Sequence, residues 1–149
     1  MTSPNRRLNF LVMCLVFGGL VGCQTTQQQL LDSDQSQVQL RSIQTRAFDT
    51  TDKEKILRTV ISTLQDLGFV IDKADLTLGT VTGTKLDQYR LRMTVTARPR
   101  GETQMLIRAS AQYGAPYGQK MQPVNDPLPY QRFFTSFEKA VFLTAQKVD

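Results

Sequence analysis

The sequence contains no histidine and no tryptophan, and it has only two cysteines among 149 residues. Histidine is the most frequent general base and the commonest metal ligand of proteins. Cys14 lies inside an apolar N-terminal run, and Cys23 follows it. If the chain is cut before Cys23 and this thiol is acylated, the rest has no disulfide, no zinc site of cysteine and histidine, and no cysteine nucleophile. We therefore expect no enzyme, no metal site and no cofactor.

The charge is mildly basic, with 18 lysine and arginine residues against 13 acidic ones. Arg6 and Arg7 lie in the N-terminal segment that we expect to be removed, which leaves 16 basic against 13 acidic residues. Such an excess does not by itself indicate nucleic acid, and no aromatic residues are interleaved with the basic ones as in single-strand binders. We expect no nucleic-acid partner.

The first 22 residues have the order of an export signal. Residues 1–7 are polar and basic, residues 8–20 are almost wholly apolar apart from Asn9, and the small residue Gly22 precedes Cys23. The apolar run is shorter than the roughly 20 residues that cross a bilayer as a helix. We therefore expect residues 1–22 to be a signal peptide that is removed.

Leu20, Val21, Gly22 and Cys23 resemble the lipobox of bacterial lipoproteins. The resemblance implies cleavage between Gly22 and Cys23, a diacylglycerol on the Cys23 thiol and a further acyl chain, such as palmitate, on the new amine. Because each buried methylene contributes about 0.8 kcal/mol, two or three chains anchor a protein stably. Gln24, where many inner-membrane lipoproteins have aspartate, implies the outer membrane with the domain facing the periplasm. The alternative is an ordinary signal peptide with an incidental cysteine.

Residues 24–39 are rich in glutamine and poor in apolar side chains. Such a segment buries too little surface to offset the entropy lost on ordering. We therefore expect three parts: the signal peptide at 1–22, the lipidated cysteine and a flexible tether at 23–40, and a single α+β domain at 41–149.

The patterns after the tether predict alternating strands and helices. We expect a first strand over residues 38–48 and then a helix with a capping box, Thr51 as the N-cap and Glu54 three residues later, that ends at Gly68. Four strands follow, at about 69–73, 80–85, 89–98 and 105–113, with Tyr89 and Tyr113 on their inward faces. A loop over residues 114–129 leads to a last helix with a buried stripe that includes Phe133, Phe134 and Phe137.

The order β-α-β-β-β-β-α predicts an α+β fold, in which two helices cover one face of an antiparallel sheet of four to five strands. Residues 64–71 and 79–81, together with this order, resemble the helix-grip-like domains of a lipoprotein component of the β-barrel assembly machinery. The resemblance implies a helix-grip-like fold. The members of that lipoprotein family have two such domains and a longer N-terminal segment, whereas one domain is expected here.

Two surfaces are candidate interaction sites. Arg90, Arg92, Arg98 and Arg108 alternate with apolar residues, so we expect them on the exposed face of the sheet, where they form either a binding surface for anionic groups or a solvated face that discourages strand pairing. In the long loop, Tyr117, Lys120 and Met121 either contact a ligand or partner or complete the core. Asp72 and Asp75 are expected to make local turn hydrogen bonds.

Two functions are consistent with these features. The first is a structural or adaptor subunit, anchored in the outer membrane, that docks on a cell-envelope complex for secretion, efflux or outer-membrane assembly. The second is a periplasmic binding module that holds a lipid or other amphiphile between the sheet and the C-terminal helix. A filled core with an exposed apolar or basic patch favours the first function, and a large apolar cavity favours the second.

Overall fold

The structure is a computed structural model that describes residues 37–86, 88–115 and 120–146, with side chains described as far as residue 143. All of these residues except Gln37 belong to one compact unit, Val38–Asp149. Helix α1 covers described residues 37–43, α2 covers Lys53–Asp66 and α3 covers Leu128–Gln146. The strands are β1 Thr45–Phe48, β2 Val70–Asp75, β3 Thr80–Leu86, β4 Arg90–Arg100, β5 Gln104–Gly114 and β6 Gln122–Pro123.

The strands form one antiparallel sheet in the order β1-β5-β4-β3-β2. The two-residue strand β6 also pairs with β5, opposite Gln112 and Tyr113, whereas β1 pairs with β5 at residues 105–108. Since β4 occupies the other side of β5, β1 and β6 share one edge of that strand. The predicted α+β class with an antiparallel sheet is confirmed, and the sheet has six strands in the described part of the chain rather than four or five.

The expected first strand over residues 38–48 is wrong in its first half. Residues 37–43 are helical, and the strand begins only at Thr45. Leu40 and Ile43, three residues apart, both pack against the core, which is the spacing of a helix face. The amide of Gln44 donates to the carbonyl of Leu40 at 3.1 Å and closes the last turn. The described residues therefore contain three helices rather than two.

Helix α2 has the predicted extent, but its N-cap is Asp52 and not Thr51. The Asp52 carboxylate accepts a hydrogen bond from the backbone N–H of Lys55 at 2.9 Å. At the other end Gly68 has a φ of 84°, and the N–H groups of Gly68 and Phe69 donate to the carbonyls of Gln65 and Leu64. These two bonds are those of a Schellman motif, which explains the predicted glycine stop.

The core lies between one face of the sheet and helices α2 and α3. The four aromatic residues of α3 that face the sheet are fully buried: Tyr130, Phe133, Phe134 and Phe137. Phe137 packs edge-on against Phe48 of β1 with the ring centroids 5.0 Å apart, and it stacks on Phe133 at 5.6 Å. The buried residues that the strands contribute to the same cluster are Val81, Met93, Val95, Ala97, Met105, Ile107, Ala109 and Ala111. The opposite face of the sheet is polar.

Candidate partner-binding groove

Tyr89 and Tyr113 lie at the end of the sheet where β4 begins and β5 ends. Their rings meet edge-on with centroids 6.4 Å apart, and their residues are 49% and 42% exposed. Both lie on the predicted inward face of the sheet, but neither is buried there. They continue the buried series of β4 and β5, but they lie beyond the last fully covered positions, Met93 and Ala111. Two large aromatic side chains are thus about half exposed to solvent.

The segment before α3 is fixed opposite these tyrosines by long-range hydrogen bonds. The amide of Val124 donates to the carbonyl of Ala111 at 3.0 Å, and the Tyr130 hydroxyl donates to the carbonyl of Val124 at 2.7 Å. The preceding residues approach Gly114 so closely that a Cβ there would lie 2.8 Å from the Lys120 carbonyl oxygen. Glycine at this position therefore lets residues 120–121 pack against the end of β5.

A groove of about 680 Å³ lies between these two parts of the chain. It is lined by Tyr89, Leu91, Tyr113, Gly114, Ala115, Lys120, Gln122, Pro123, Val124, Asn125, Asp126 and Pro129. A second concavity of about 190 Å³ adds walls from Leu67, Phe69, Lys85, Met93, Leu128 and Arg132. The two concavities adjoin, because four residues line both: Tyr89, Leu91, Asp126 and Pro129. The larger volume is within the range of known ligand sites.

The groove is lined by more basic than acidic residues. Lys85, Lys120 and Arg132 are basic, and Asp126 is the single acidic residue among the lining residues. The Asp126 carboxylate accepts a hydrogen bond from the amide of Leu128 at 2.9 Å, so it caps the start of α3. The Lys85 ammonium donates to the carbonyl of Leu67 at 3.0 Å. The groove is therefore apolar in its walls and cationic in its charge.

The structure places two of the three predicted loop residues. Lys120 is exposed and lines the groove, and Met121 is half-buried with its sulfur 3.3 Å from an N–H of Arg90. Tyr117 lies outside the described residues, as do Gly22 and Cys23. The groove residues that the sequence reasoning missed are Leu91, Asp126, Leu128, Pro129 and Arg132. Leu128 is 46% exposed. The sequence signal available for it was its place at the start of α3, off the stripe of Tyr130, Phe133 and Phe137.

The four predicted arginines lie on one face of the sheet but do not form one patch. Arg92 and Arg98 are six residues apart on β4, which is about 20 Å. Arg92 lies 4.0 Å from the carboxylate of Asp72, and Arg108 donates to the side-chain carbonyl of Gln44 at 3.5 Å. Half-buried threonines of β3 and β4, such as Thr82 and Thr94 with their hydroxyls 3.0 Å apart, lie on the same face.

Asp75 makes the local turn contact that was predicted, since its carboxylate accepts from the amide of Leu78 at 2.8 Å. The same prediction is wrong for Asp72, because its carboxylate accepts from the hydroxyl of Thr84 on the neighbouring strand β3 at 2.6 Å. Within the described ranges no three acidic, cysteine or histidine side chains are grouped as metal ligands would be. In the same part of the chain, no helix has the length and apolar character needed to cross a membrane.

No protein-family model matches the chain, and no curated protein matches it significantly.

Proposed function

We propose that this chain is a lipid-anchored adaptor of the bacterial cell envelope. Cys23 carries the lipid that holds the α+β domain at the outer membrane, facing the periplasm, and the domain docks on a protein of a secretion, efflux or outer-membrane assembly complex. The lipobox supports the anchor. The observation that supports docking is a filled core next to an open, partly aromatic groove.

The filled core argues for docking and against an internal ligand. Phe133, Phe134 and Phe137 project from α3 toward the sheet, and each is fully buried against the strand residues. The space between sheet and helix, where the second expected function would place an amphiphile, is thus occupied by the protein's own aromatic side chains. A ligand there would have to displace them from a close-packed core.

The groove has the composition of a contact surface. Tyr89, Tyr113 and Leu128 are each more than two-fifths exposed at one end of the domain. Tyrosine is enriched at protein interfaces because it gives a large apolar area and a hydroxyl at a small cost in side-chain entropy. Exposed apolar side chains gathered in a concavity with a polar rim mark binding surfaces.

Photo-crosslinking in living cells tests the adaptor role. A photoreactive phenylalanine analogue at Leu128 would report contacts at the groove, and the same analogue at the exposed Ser110 on the sheet face is the matched control. We expect a discrete adduct with an envelope protein from position 128, none from position 110, and loss of the adduct when Cys23→Ala releases the anchor. Equal adducts at both positions, or none at either, would contradict the proposed docking role.

A further inference from the structure

The groove has walls and a charge that together select among partners. Its two concavities adjoin along Tyr89, Leu91, Asp126 and Pro129, so they form one continuous depression. The lining residues of this depression come from the end of β5, the loop before α3, and the region of Leu67 and Arg132.

The charge of the depression favours an acidic occupant. Lys120 and Arg132 are exposed, and neither forms an ion pair with another described residue. Asp126 remains negatively charged while its carboxylate accepts a hydrogen bond from the amide of Leu128, so Lys85, Lys120, Arg132 and Asp126 together give the depression a net charge of +2. Basic side chains at the rim of an interface attract acidic partners and disfavour basic ones.

The walls of the depression favour apolar side chains between the acidic ones. Tyr89 and Tyr113 are each more than two-fifths exposed, and Pro123, Pro129 and Leu128 line the same depression. Aromatic-lined grooves of this kind bind extended segments that contain proline, which lose little entropy on binding. An occupant with only acidic residues would leave these apolar walls in water.

From the charge and the walls, we infer that the groove binds an extended, acidic segment of a partner protein that carries proline or aliphatic residues between its carboxylates. This inference rests on the proposed docking function and specifies the partner's binding segment. It assigns the contact with the partner's apolar residues to Tyr113 and Leu128, and the contact with its carboxylates to Lys120 and Arg132.

The test uses the mature full-length chain purified from membranes in mild detergent and a phage library of random 12-residue peptides. We expect the selected peptides to be enriched in aspartate and glutamate together with proline, leucine or isoleucine. A synthetic copy of the most enriched peptide, labelled with a fluorophore, is then titrated by fluorescence anisotropy. Because this measurement uses purified components, it can fail or succeed independently of the crosslinking result in cells.

Variants that reverse the charge of one residue, in the groove or on the sheet face, test the charge contacts. Arg132→Glu and Lys120→Glu are each expected to weaken binding about three- to tenfold, as for exposed ion pairs, and Leu128→Ser is expected to weaken it roughly tenfold. Arg98→Glu makes the same change of charge on the sheet face and should leave the affinity unchanged. Among peptides in which one acidic residue is replaced by lysine, the one changed at the residue that contacts position 132 should bind Arg132→Glu more tightly than it binds the wild-type chain.

The inference is overturned by any of four results. The first is that no peptide is enriched, and the second is that the enriched peptides lack acidic residues. The third is an equal loss of affinity for Arg98→Glu and Arg132→Glu. The fourth is self-association of the chain that Arg132→Glu abolishes, because this would make a second copy of the chain the occupant. Binding to phosphatidylglycerol vesicles that depends on Lys120 and Arg132, without peptide binding, would assign the groove to lipid head groups and would also overturn it.

Discussion

Gln44 donates a hydrogen bond from its side-chain amide to the hydroxyl of Tyr130 at 3.1 Å, and both residues are buried. The same hydroxyl accepts from the amide of Ala111 at 3.3 Å and donates to the carbonyl of Val124 at 2.7 Å. One phenol group thus joins the residue before β1, strand β5, the segment that forms the groove, and helix α3. The wall of the groove depends on this buried network.

Removing that hydroxyl is expected to destabilise the domain. Tyr130→Phe leaves the Gln44 amide and two backbone groups without their partner in a dry environment, so the free energy of unfolding should fall by about 1–3 kcal/mol. Urea denaturation followed by circular dichroism measures this free energy for the wild-type chain and the variant. Tyr113→Phe is the control, because its hydroxyl makes only a long 3.4 Å contact with Gln122 at the surface. Equal losses in the two variants would contradict the role of the network.

Gly79 should tolerate alanine less well than Gly101 does. Both glycines have positive φ, 70° and 62°. A Cβ at Gly79 would lie 2.5 Å from the carbonyl oxygen of Ala97, whereas a Cβ at Gly101 would meet nothing within 4 Å. We expect Gly101→Ala to lower the free energy of unfolding by about 1 kcal/mol from backbone strain alone and Gly79→Ala by about 2–4 kcal/mol. Equal denaturation midpoints would contradict the close approach.

The N-cap of α2 in the structure is Asp52, whereas the sequence pattern predicts Thr51. Since Asp52 accepts the hydrogen bond from Lys55, Asp52→Ala should lower the free energy of unfolding by about 0.5–2 kcal/mol. Thr51→Ala should change it little. A larger loss of stability for Thr51→Ala than for Asp52→Ala, in thermal or urea unfolding, would instead support Thr51 as the N-cap.

Phe137 should be one of the residues on which stability depends most. It is fully buried, stacks on Phe133 and packs edge-on against Phe48. Phe137→Ala is expected to cost about 3–5 kcal/mol, as for other buried phenylalanines. Phe142→Ala, one turn and a half further along the same helix and 63% exposed, is the matched control and should cost little. A small effect at position 137 would mean that the space between sheet and helix is not tightly filled.

The elements with strong periodicity were predictable from the sequence. The stripe of Ile56, Leu57, Val60 and Leu64 and the Gly68 stop predict α2, and the alternation along β4 and β5 predicts which residues are buried in the middle of those strands. Both patterns arise from local geometry, which repeats along the element. The N-cap was less determined, because Thr51 and Asp52 are both good caps and the backbone decides between them.

Other features depend on contacts between distant residues. Three of the six side chains at residues 38–43 are apolar, but so short a pattern does not decide between a strand and a helix. The helical form depends on the packing of Leu40 and Ile43 on the core. The groove depends on the bond between Val124 and Ala111 and on the buried Tyr130 hydroxyl. No local pattern around position 89 or 113 shows where the helices stop covering the sheet, so the exposure of Tyr89 and Tyr113 could not be predicted.

The intact mass of the mature protein tests the proposed anchor most directly. The full-length chain and Cys23→Ala are expressed in a Gram-negative host, the envelope is fractionated and each product is weighed by mass spectrometry. We predict that the wild-type chain begins at Cys23, carries a diacylglyceryl group and an N-acyl chain, and is found in the outer membrane, and that the variant lacks all three properties. A wild-type chain without lipid, whether free in the periplasm or uncleaved, would contradict the account of a membrane-anchored adaptor.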